Sequence, residues 1–138
     1  MSGDPSSLID SGRLPAWHVL RGKTAFQQLF QHGQVIPARL VTMRYLKLPD
    51  RPLDKRVGFI AGRKIGKAAQ RNKVKRFMRE AYRTNKDQLA ELLKQKQFGL
   101  HFVFIARNAS ASYQGYLKDC TYLMRKLQQT LLDQTLKE

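Results

Sequence analysis

The stretch from Arg56 to Lys86 concentrates positive charge in a way that limits how the chain can fold. It contains eleven Lys or Arg residues and a single acid, Glu80. Like charges four residues apart on a helix repel one another by roughly 0.2–0.5 kcal/mol per pair. Such a segment needs an apolar face to hold it on a core, and its cationic side favours an anionic partner.

The whole chain shares this imbalance, with 26 Lys or Arg against 10 Asp or Glu among 138 residues and a formal net charge of +16. Nucleic acid is the first candidate partner, because each neutralised phosphate releases condensed counterions. An anionic membrane surface is the second. The sequence has no apolar run near the roughly 18 residues of a membrane span and no secretory signal at its start. With one cysteine, Cys120, the chain suits a reducing cytoplasm, where we expect it.

Length and a hydrophobic content of 42% predict one α/β domain over residues 17–134, after a disordered segment over residues 1–16. The apolar spacing predicts the order helix, strands, helix, strand, helix. The predicted elements are a helix from Lys23 to about His32, strands over 40–48, 56–61 and 100–106, a basic helix from Ala68 to at least Thr84, and a last helix capped by Ser110 or Ser112.

The basic helix is predicted to have two distinct faces when plotted at about 100° per residue. Its core-facing stripe contains Val74, Phe77, Met78 and Ala81. A ridge of basic residues spaced by four lies beside that stripe and contains Arg71, Lys75, Arg79 and Arg83, extended by Arg76. Only Glu80 interleaves these charges, so the pattern favours a nucleic-acid surface over a solvated face.

The loop Gly62–Lys67 before this helix is superficially similar to a nucleotide-binding loop. It is one residue short between its glycines, and Ala68 stands where that motif needs Ser or Thr for magnesium. We interpret it as a tight turn that lets the backbone approach a phosphate at the start of the helix, where amide groups point outward.

The sequence offers no set of residues suited to catalysis or metal binding. Its acids are scattered, and His18, His32 and His101 show no ligand spacing. We interpret His101, in an apolar strand, as a structural histidine, and Cys120, in the apolar stripe of the last helix, as a packing residue. We therefore expect no catalytic residue, no metal site and no cofactor bound by the protein itself.

Phe26 and Phe30 form an i,i+4 pair on the first helix. One interpretation is ordinary core packing, and the other is a stacking surface for an unpaired nucleotide chain. Arg39, Arg44 and Lys47 follow on the next strand segment and favour the second interpretation, because phosphate contacts would then adjoin the stacking surface.

The region from Val57 to Arg83 resembles the bacterial ribonuclease P protein subunit. The similarity rests on the Gly62–Ala68 loop and on a helix containing Arg71, Asn72, Lys73, Lys75, Arg76, Arg79 and Glu80. It extends outward to the Phe26–Gly33 segment, to Arg39 and to the strand ending at Arg107, and covers about residues 18–132.

The resemblance implies a two-layer α/β (α+β) sandwich with three main helices and a small mixed sheet that contains a left-handed βαβ crossover. It implies binding to a large catalytic RNA, which uses its own Mg²⁺ to remove the 5′ leader of precursor tRNA. The protein would bind the catalytic RNA and the single-stranded leader, without a membrane or an obligate protein partner.

Carried over by position, the resemblance also implies two groups of site residues. The RNA-binding group contains Arg63, Lys64, Lys67, Arg71, Asn72, Lys73, Lys75, Arg76 and Arg79, with Lys67 and Lys73 standing where the family usually has Asn and Arg. The leader-cleft group contains Phe26, Phe30, Arg39, Arg44 and Tyr45, of which Arg44 aligns nearest the family's cleft Tyr.

Two rival functions use the same basic helix. A ribosomal or other structural RNA-binding protein has no processing role. A DNA-binding regulator would need a helix and short turn before its recognition helix, whereas a strand and a Gly-rich loop precede Arg71.

Overall fold

The computed structural model describes residues 18–52, 54–109 and 112–137. The segment predicted to be disordered, residues 1–16, and the candidate cap Ser110 lie outside these residues. The described elements are α1 (Lys23–His32), β1 (Gln34–Pro37), β2 (Val41–Leu48), β3 (Lys55–Ala61), a 3₁₀ turn (Arg63–Ile65), α2 (Ala68–Lys96), β4 (Gly99–Ala106) and α3 (Tyr113–Lys137). The predicted order of elements is confirmed.

The four strands form one mixed sheet in the order β1-β2-β4-β3. β2 pairs antiparallel with both β1 and β4. β3 and β4 run parallel, and α2 connects them. This β3-α2-β4 connection is a βαβ unit.

The two faces of the sheet carry different helices. One face packs against α2 and α3 in the main core, and its strand residues include Val41, Met43, Tyr45, Val57, Leu100, Phe102 and Phe104. α1 packs across the opposite face in a smaller cluster built on Leu29 and Val103. The predicted α/β class with three helices around a small mixed sheet is confirmed, and α1 is separated from the other two helices by the sheet.

Helix α2 extends well beyond the predicted minimum and reaches Lys96. Its second half carries its own apolar stripe, with Leu89, Leu92 and Leu93 buried in the main core. In the first half, Val74, Met78 and Ala81 are buried as predicted. Phe77 is half-buried between Tyr113 and Tyr116 of α3, with ring centroids 5.6 and 5.8 Å away.

The apolar stripe predicted for the last helix lies in the core. Tyr116, Cys120, Met124, Leu127 and Leu131 are fully buried. Burial raises the pKa of the Cys120 thiol to about 12, which agrees with a packing role for this residue. Ser112 immediately precedes the helix, and its Oγ accepts a hydrogen bond from the Gln114 amide at 3.2 Å.

His101 is also a structural residue, as predicted, because it is buried and its Nε2 lies 2.9 Å from Oδ1 of Asp54. Burial alone would raise the pKa of Asp54, but hydrogen bonds with His101 and Arg56 hold that pKa below its ordinary value. Asp54, in the β2–β3 connection, is therefore linked through His101 to strand β4 of the sheet.

Residues 18–20 lie along the outer edge of β3. Val19 forms a parallel bridge with Val57, and the Leu20 amide donates to the Val57 carbonyl at 2.9 Å. The imidazole of His18 is hydrogen-bonded to the hydroxyl of Tyr82 on α2. Burial, followed by the charges of Lys86 and Lys55, lowers the pKa of His18 to about 4.

We expect acid to destabilise the protein through His18. In the unfolded chain this histidine has a pKa near 6.5, so the unfolded state takes up a proton first as the pH falls. The stability that the neutral ring provides is complete above pH 6.5 and is lost between about pH 6.5 and 4. Because the ring is partly exposed, solvent screening limits the loss to about 1–2 kcal/mol.

Urea unfolding of the wild type and of His18→Gln across this pH range measures the effect. The difference in unfolding free energy between the two proteins should shrink as the pH falls from 6.5 to 4. A difference that stays constant would contradict this role for His18.

Candidate nucleic-acid interface

One end of the sheet gathers basic residues from three connections. Ala106 pairs with Ala61 of β3 and with Val41 of β2, so the segments next to these residues lie at the same end. Those segments carry Arg39, Arg63, Lys64 and Arg107, which are all exposed. The register therefore brings together cations that are up to 68 residues apart in the sequence.

The loop at this end presents the start of α2. Ile65 of the 3₁₀ turn is buried, and Gly66 has a φ of 142°, a value that side chains rarely tolerate. Lys67, the N-cap residue of α2, makes no side-chain cap hydrogen bond, and the first turn contains no acid. The amide groups and the positive end of the helix dipole can therefore receive an anion, as the sequence predicts.

The basic residues of α2 differ in exposure. Asn72, Lys73 and Arg76 are exposed. Arg71, Lys75 and Arg79 are half-buried. The Nε of Arg71 is buried and has no hydrogen-bond partner among the described residues.

Two members of the predicted ridge make contacts within the protein. The guanidinium of Arg79 lies 5.6 Å from the centre of the Phe59 ring. Arg83 donates from Nε and Nη2 to both carboxylate oxygens of Glu80, at 3.0 and 2.5 Å. The C-terminal end of the ridge is therefore engaged within the protein, whereas Asn72, Lys73 and Arg76 near the start of the helix are exposed.

On the other face of the sheet, the two phenylalanines of α1 have different surroundings. Phe26 lies over Gly58, where an added Cβ would come within 3.3 Å of the ring. Phe30 is 40% exposed. The guanidinium of Arg44 lies 5.2 Å from the Phe30 ring centre, and its Nη1 donates to the Phe30 carbonyl at 3.1 Å. Phe26 is thus mainly a packing residue, while Phe30 and Arg44 form an accessible aromatic and cationic pair.

The prediction that Tyr45 lies in this cleft is wrong. Alternate residues of a strand point to opposite faces, and Tyr45 is buried in the main core under α2 and α3. Lys47 shares the Tyr45 side, with its Nζ 4.7 Å from the Phe98 ring centre. Arg39 lies in the β1–β2 connection, where its carbonyl accepts from Asn108 at 2.9 Å, and belongs to the basic end of the sheet.

Sequence reasoning missed a groove beside the N-terminus of α1. Its volume is about 690 Å³, and its lining includes Arg21, Lys23, Arg51 and His101. The Arg21-Gly22-Lys23 run at the start of the helix was the available sequence signal. The groove is continuous with the α1 face of the sheet through Ala25 and Leu46, which belong to the cluster around Val103.

We expect Phe30→Leu to weaken mainly RNA binding and Phe26→Leu to lower mainly the stability of the protein. As a stacking surface, the exposed Phe30 ring would be worth about 1–3 kcal/mol per base, so Phe30→Leu is expected to weaken binding with little change in Tm. Loss of the Phe26 ring opens space over Gly58 and lowers Tm. Affinities for precursor and mature tRNA, measured beside Tm, separate the two roles. Equal losses for both RNAs in Phe30→Leu would assign this ring to packing.

Among residues 18–52, 54–109 and 112–137, every helix is too short or too polar to span a bilayer. No three His, Cys, Asp or Glu side chains there come close enough together to hold a metal ion.

These features define a class of protein, an α/β protein with a cationic loop and helix typical of RNA binding. The family model for ribonuclease P matches residues 14–128. The chain is 37% identical over 91 residues to the ribonuclease P protein component of Symbiobacterium thermophilum, covering 66% of this chain and 72% of that protein. It is 31% identical over 136 residues to the corresponding component of Chlorobaculum tepidum, covering 88% of this chain and 87% of that protein.

Solved structures of RNase P proteins have the same fold as this chain. The RNase P protein of Thermotoga maritima matches with a TM-score of 0.60 and 25% identity, over 78% of this chain and 96% of that one. The Staphylococcus aureus RNase P protein has the same fold, with a TM-score of 0.62 and 18% identity, over 80% and 94% of the two chains. The chain belongs to the ribonuclease P protein family, whose role is in tRNA 5′ processing, and the predicted family is confirmed.

Proposed function

We propose that this chain is the protein subunit of a ribonuclease P holoenzyme in which an RNA subunit, with its own Mg²⁺, performs the hydrolysis. The protein binds that RNA and the 5′ leader of precursor tRNA. The observation that carries the proposal is the surface formed by the Gly62–Lys67 loop and the first turns of α2, within a chain of this family.

The loop and α2 are proposed to bind the RNA subunit. The amide groups at the start of the helix and the flexible lysine side chains can donate hydrogen bonds to phosphates in several orientations. The planar guanidinium of Arg76 can donate two parallel hydrogen bonds to one phosphate. The exposed cations Arg63, Lys64, Lys67, Lys73 and Arg76 form this contact, with Asn72 as a neutral donor and acceptor. The half-buried Arg71, Lys75 and Arg79 support it from the side of the core.

The face with α1 is proposed to hold the single-stranded leader. Phe30 supplies an exposed ring, and Arg44 supplies a charge held beside that ring. Stacking accepts any base and a cation contacts any phosphate, so the pair tolerates leaders of different sequence. The groove beside Arg21 and Arg51 continues this path toward the N-terminus of α1.

The described acids support assignment of the chemistry to RNA, because several are engaged in structural contacts. Asp54 binds His101 and Arg56, and Glu80 binds Arg83. Oδ2 of Asp119 accepts from the Leu40 amide at 2.5 Å.

Sequencing the RNA that copurifies with the tagged protein tests the proposal. We expect one large stem-rich RNA together with precursor tRNA that retains 5′ leaders. Ribosomal RNA as the enriched species would instead assign a structural role in another ribonucleoprotein, and DNA fragments would assign a regulator.

A further inference from the structure

The exposed face of α3 carries an aromatic ring that neither proposed RNA surface uses. Tyr122 is 49% exposed, although the apolar stripe on the other side of the helix is fully buried. About half of this side chain remains in contact with water, so a bound aromatic base would bury further apolar surface on the ring.

Three cations surround this ring. Lys118 precedes Tyr122 by one turn, and Arg125 and Lys126 follow it by one turn, so all three lie on its side of the helix. All three are exposed, and none forms an ion pair within the described part of the chain. The nearest acid in sequence, Asp119, accepts a hydrogen bond from the Leu40 amide, and the next acid, Asp133, lies about three turns beyond Tyr122.

A groove of about 460 Å³ lies beside the ring. It is lined by Gln114, Leu117, Lys118, Thr121, Tyr122 and Arg125. The Thr121 hydroxyl accepts a hydrogen bond from Nδ2 of Asn85 on α2 at 3.1 Å, which fixes this side of α3 against the neighbouring helix. The groove thus has apolar surface from Leu117 and Tyr122, polar groups from Gln114 and Thr121, and the cations Lys118 and Arg125 one turn before and after Tyr122.

We propose that this α3 face is a second binding site for an unpaired RNA segment, with a base against Tyr122 and adjacent phosphates on Lys118 and Arg125. An aromatic face with cations one turn to either side matches the alternation of base and phosphate in a single strand. The sheet separates this site from Phe30 on α1, so it is not an extension of the leader cleft. The proposed α3 site rests on the RNA-binding part of the proposed function, and it does not require a specific RNA sequence.

Ultraviolet crosslinking to a short oligouridylate locates the site directly. Trypsin cuts after Lys118 and Arg125 and releases residues 119–125, in which Tyr122 is the one aromatic residue and Cys120 is buried. We expect a uridine adduct on this peptide, assigned to Tyr122 by fragmentation. Adducts on peptides of α1 and α2 with none on residues 119–125 would overturn the site while leaving the proposed function intact.

Variants test whether the ring and the cations act together. Tyr122→Phe should retain binding at this site, whereas Tyr122→Ala should weaken it about fivefold or more. Lys118→Gln should lower the adduct yield. It should also reduce the slope of log affinity against log salt concentration by about 0.7, the value for one phosphate of a single strand. Lys94→Gln is the matched control, because its side chain is 69% exposed on α2 and its charge change is the same.

These substitutions lie on the surface, so an unchanged Tm establishes that each variant is folded. Equal affinities for the wild type and Tyr122→Ala would overturn the proposal. So would binding to vesicles of anionic lipid that depends on Tyr122 while the oligouridylate adduct is absent.

Discussion

Purified protein, freed of RNA, is expected to leave precursor tRNA uncleaved, and addition of a cognate RNA subunit with Mg²⁺ is expected to produce cleavage at the mature 5′ end. The reason is that the protein presents cations and rings for binding, while Asp54 and Glu80 are engaged in ion pairs. Hydrolysis of a stable phosphodiester requires an acceleration of about a millionfold or more, so the two preparations should differ by at least this factor. A gel assay of labelled precursor tRNA measures it.

The control for this experiment is the RNA subunit alone at the same Mg²⁺ concentration, with and without Phe30→Leu protein. The protein can be treated with ribonuclease and repurified to remove all RNA. Cleavage of precursor tRNA by this protein, with leader and mature tRNA formed in equal amounts, would contradict the assignment of the chemistry to RNA. That result would not affect the family or the fold, which rest on separate observations.

The second large effect is expected from the double variant Lys73→Gln/Arg76→Gln. Both side chains are exposed on α2, so the fold should remain intact. Each phosphate contact with a duplex contributes about 0.9 to the slope of log affinity against log salt concentration. Loss of two contacts should therefore lower the magnitude of this slope by about 1.8. Between 50 and 200 mM salt, this corresponds to about a tenfold smaller loss of affinity than the wild type shows.

The control is Lys94→Gln, which removes a charge from an α2 side chain that is 69% exposed and belongs to neither proposed RNA surface. Its salt slope for the RNA subunit should stay close to that of the wild type. A folded Lys73→Gln/Arg76→Gln protein with an unchanged slope would mean that this side of α2 faces solvent in the complex. Substituting Arg79 would test less, because its contact with Phe59 couples binding to packing.

Much of the fold could be predicted because the apolar spacing is regular. The stripe of α3 and the continuous apolar run of β4 each allow one type of element. The second half of α2 was harder, since a tract of Lys, Asn, Asp and Gln follows Thr84 before Leu89 restores the stripe. Placement of α1 on the opposite face of the sheet depends on tertiary packing, for which local spacing has no signal.

The candidate site was predictable where it depends on charge and less so where it depends on orientation. The cations of the loop and of the first turns of α2 follow from the sequence. The placement of Tyr45 came from an approximate alignment, although the alternation of Val41, Met43 and Tyr45 already assigns it to the core face. The pairing of Arg83 with Glu80 depends on rotamers that local spacing does not determine.

The sheet that separates α1 from α2 and α3 also sets a distance between polyanions. Each packed layer adds roughly 10 Å, so backbones bound on the two sides would lie about 20 Å or more apart. That separation is over twice the Debye length of about 8 Å at physiological salt. The protein would then act as a positively charged spacer, thick enough for two RNA segments to approach without direct repulsion and thin enough to hold both in one complex.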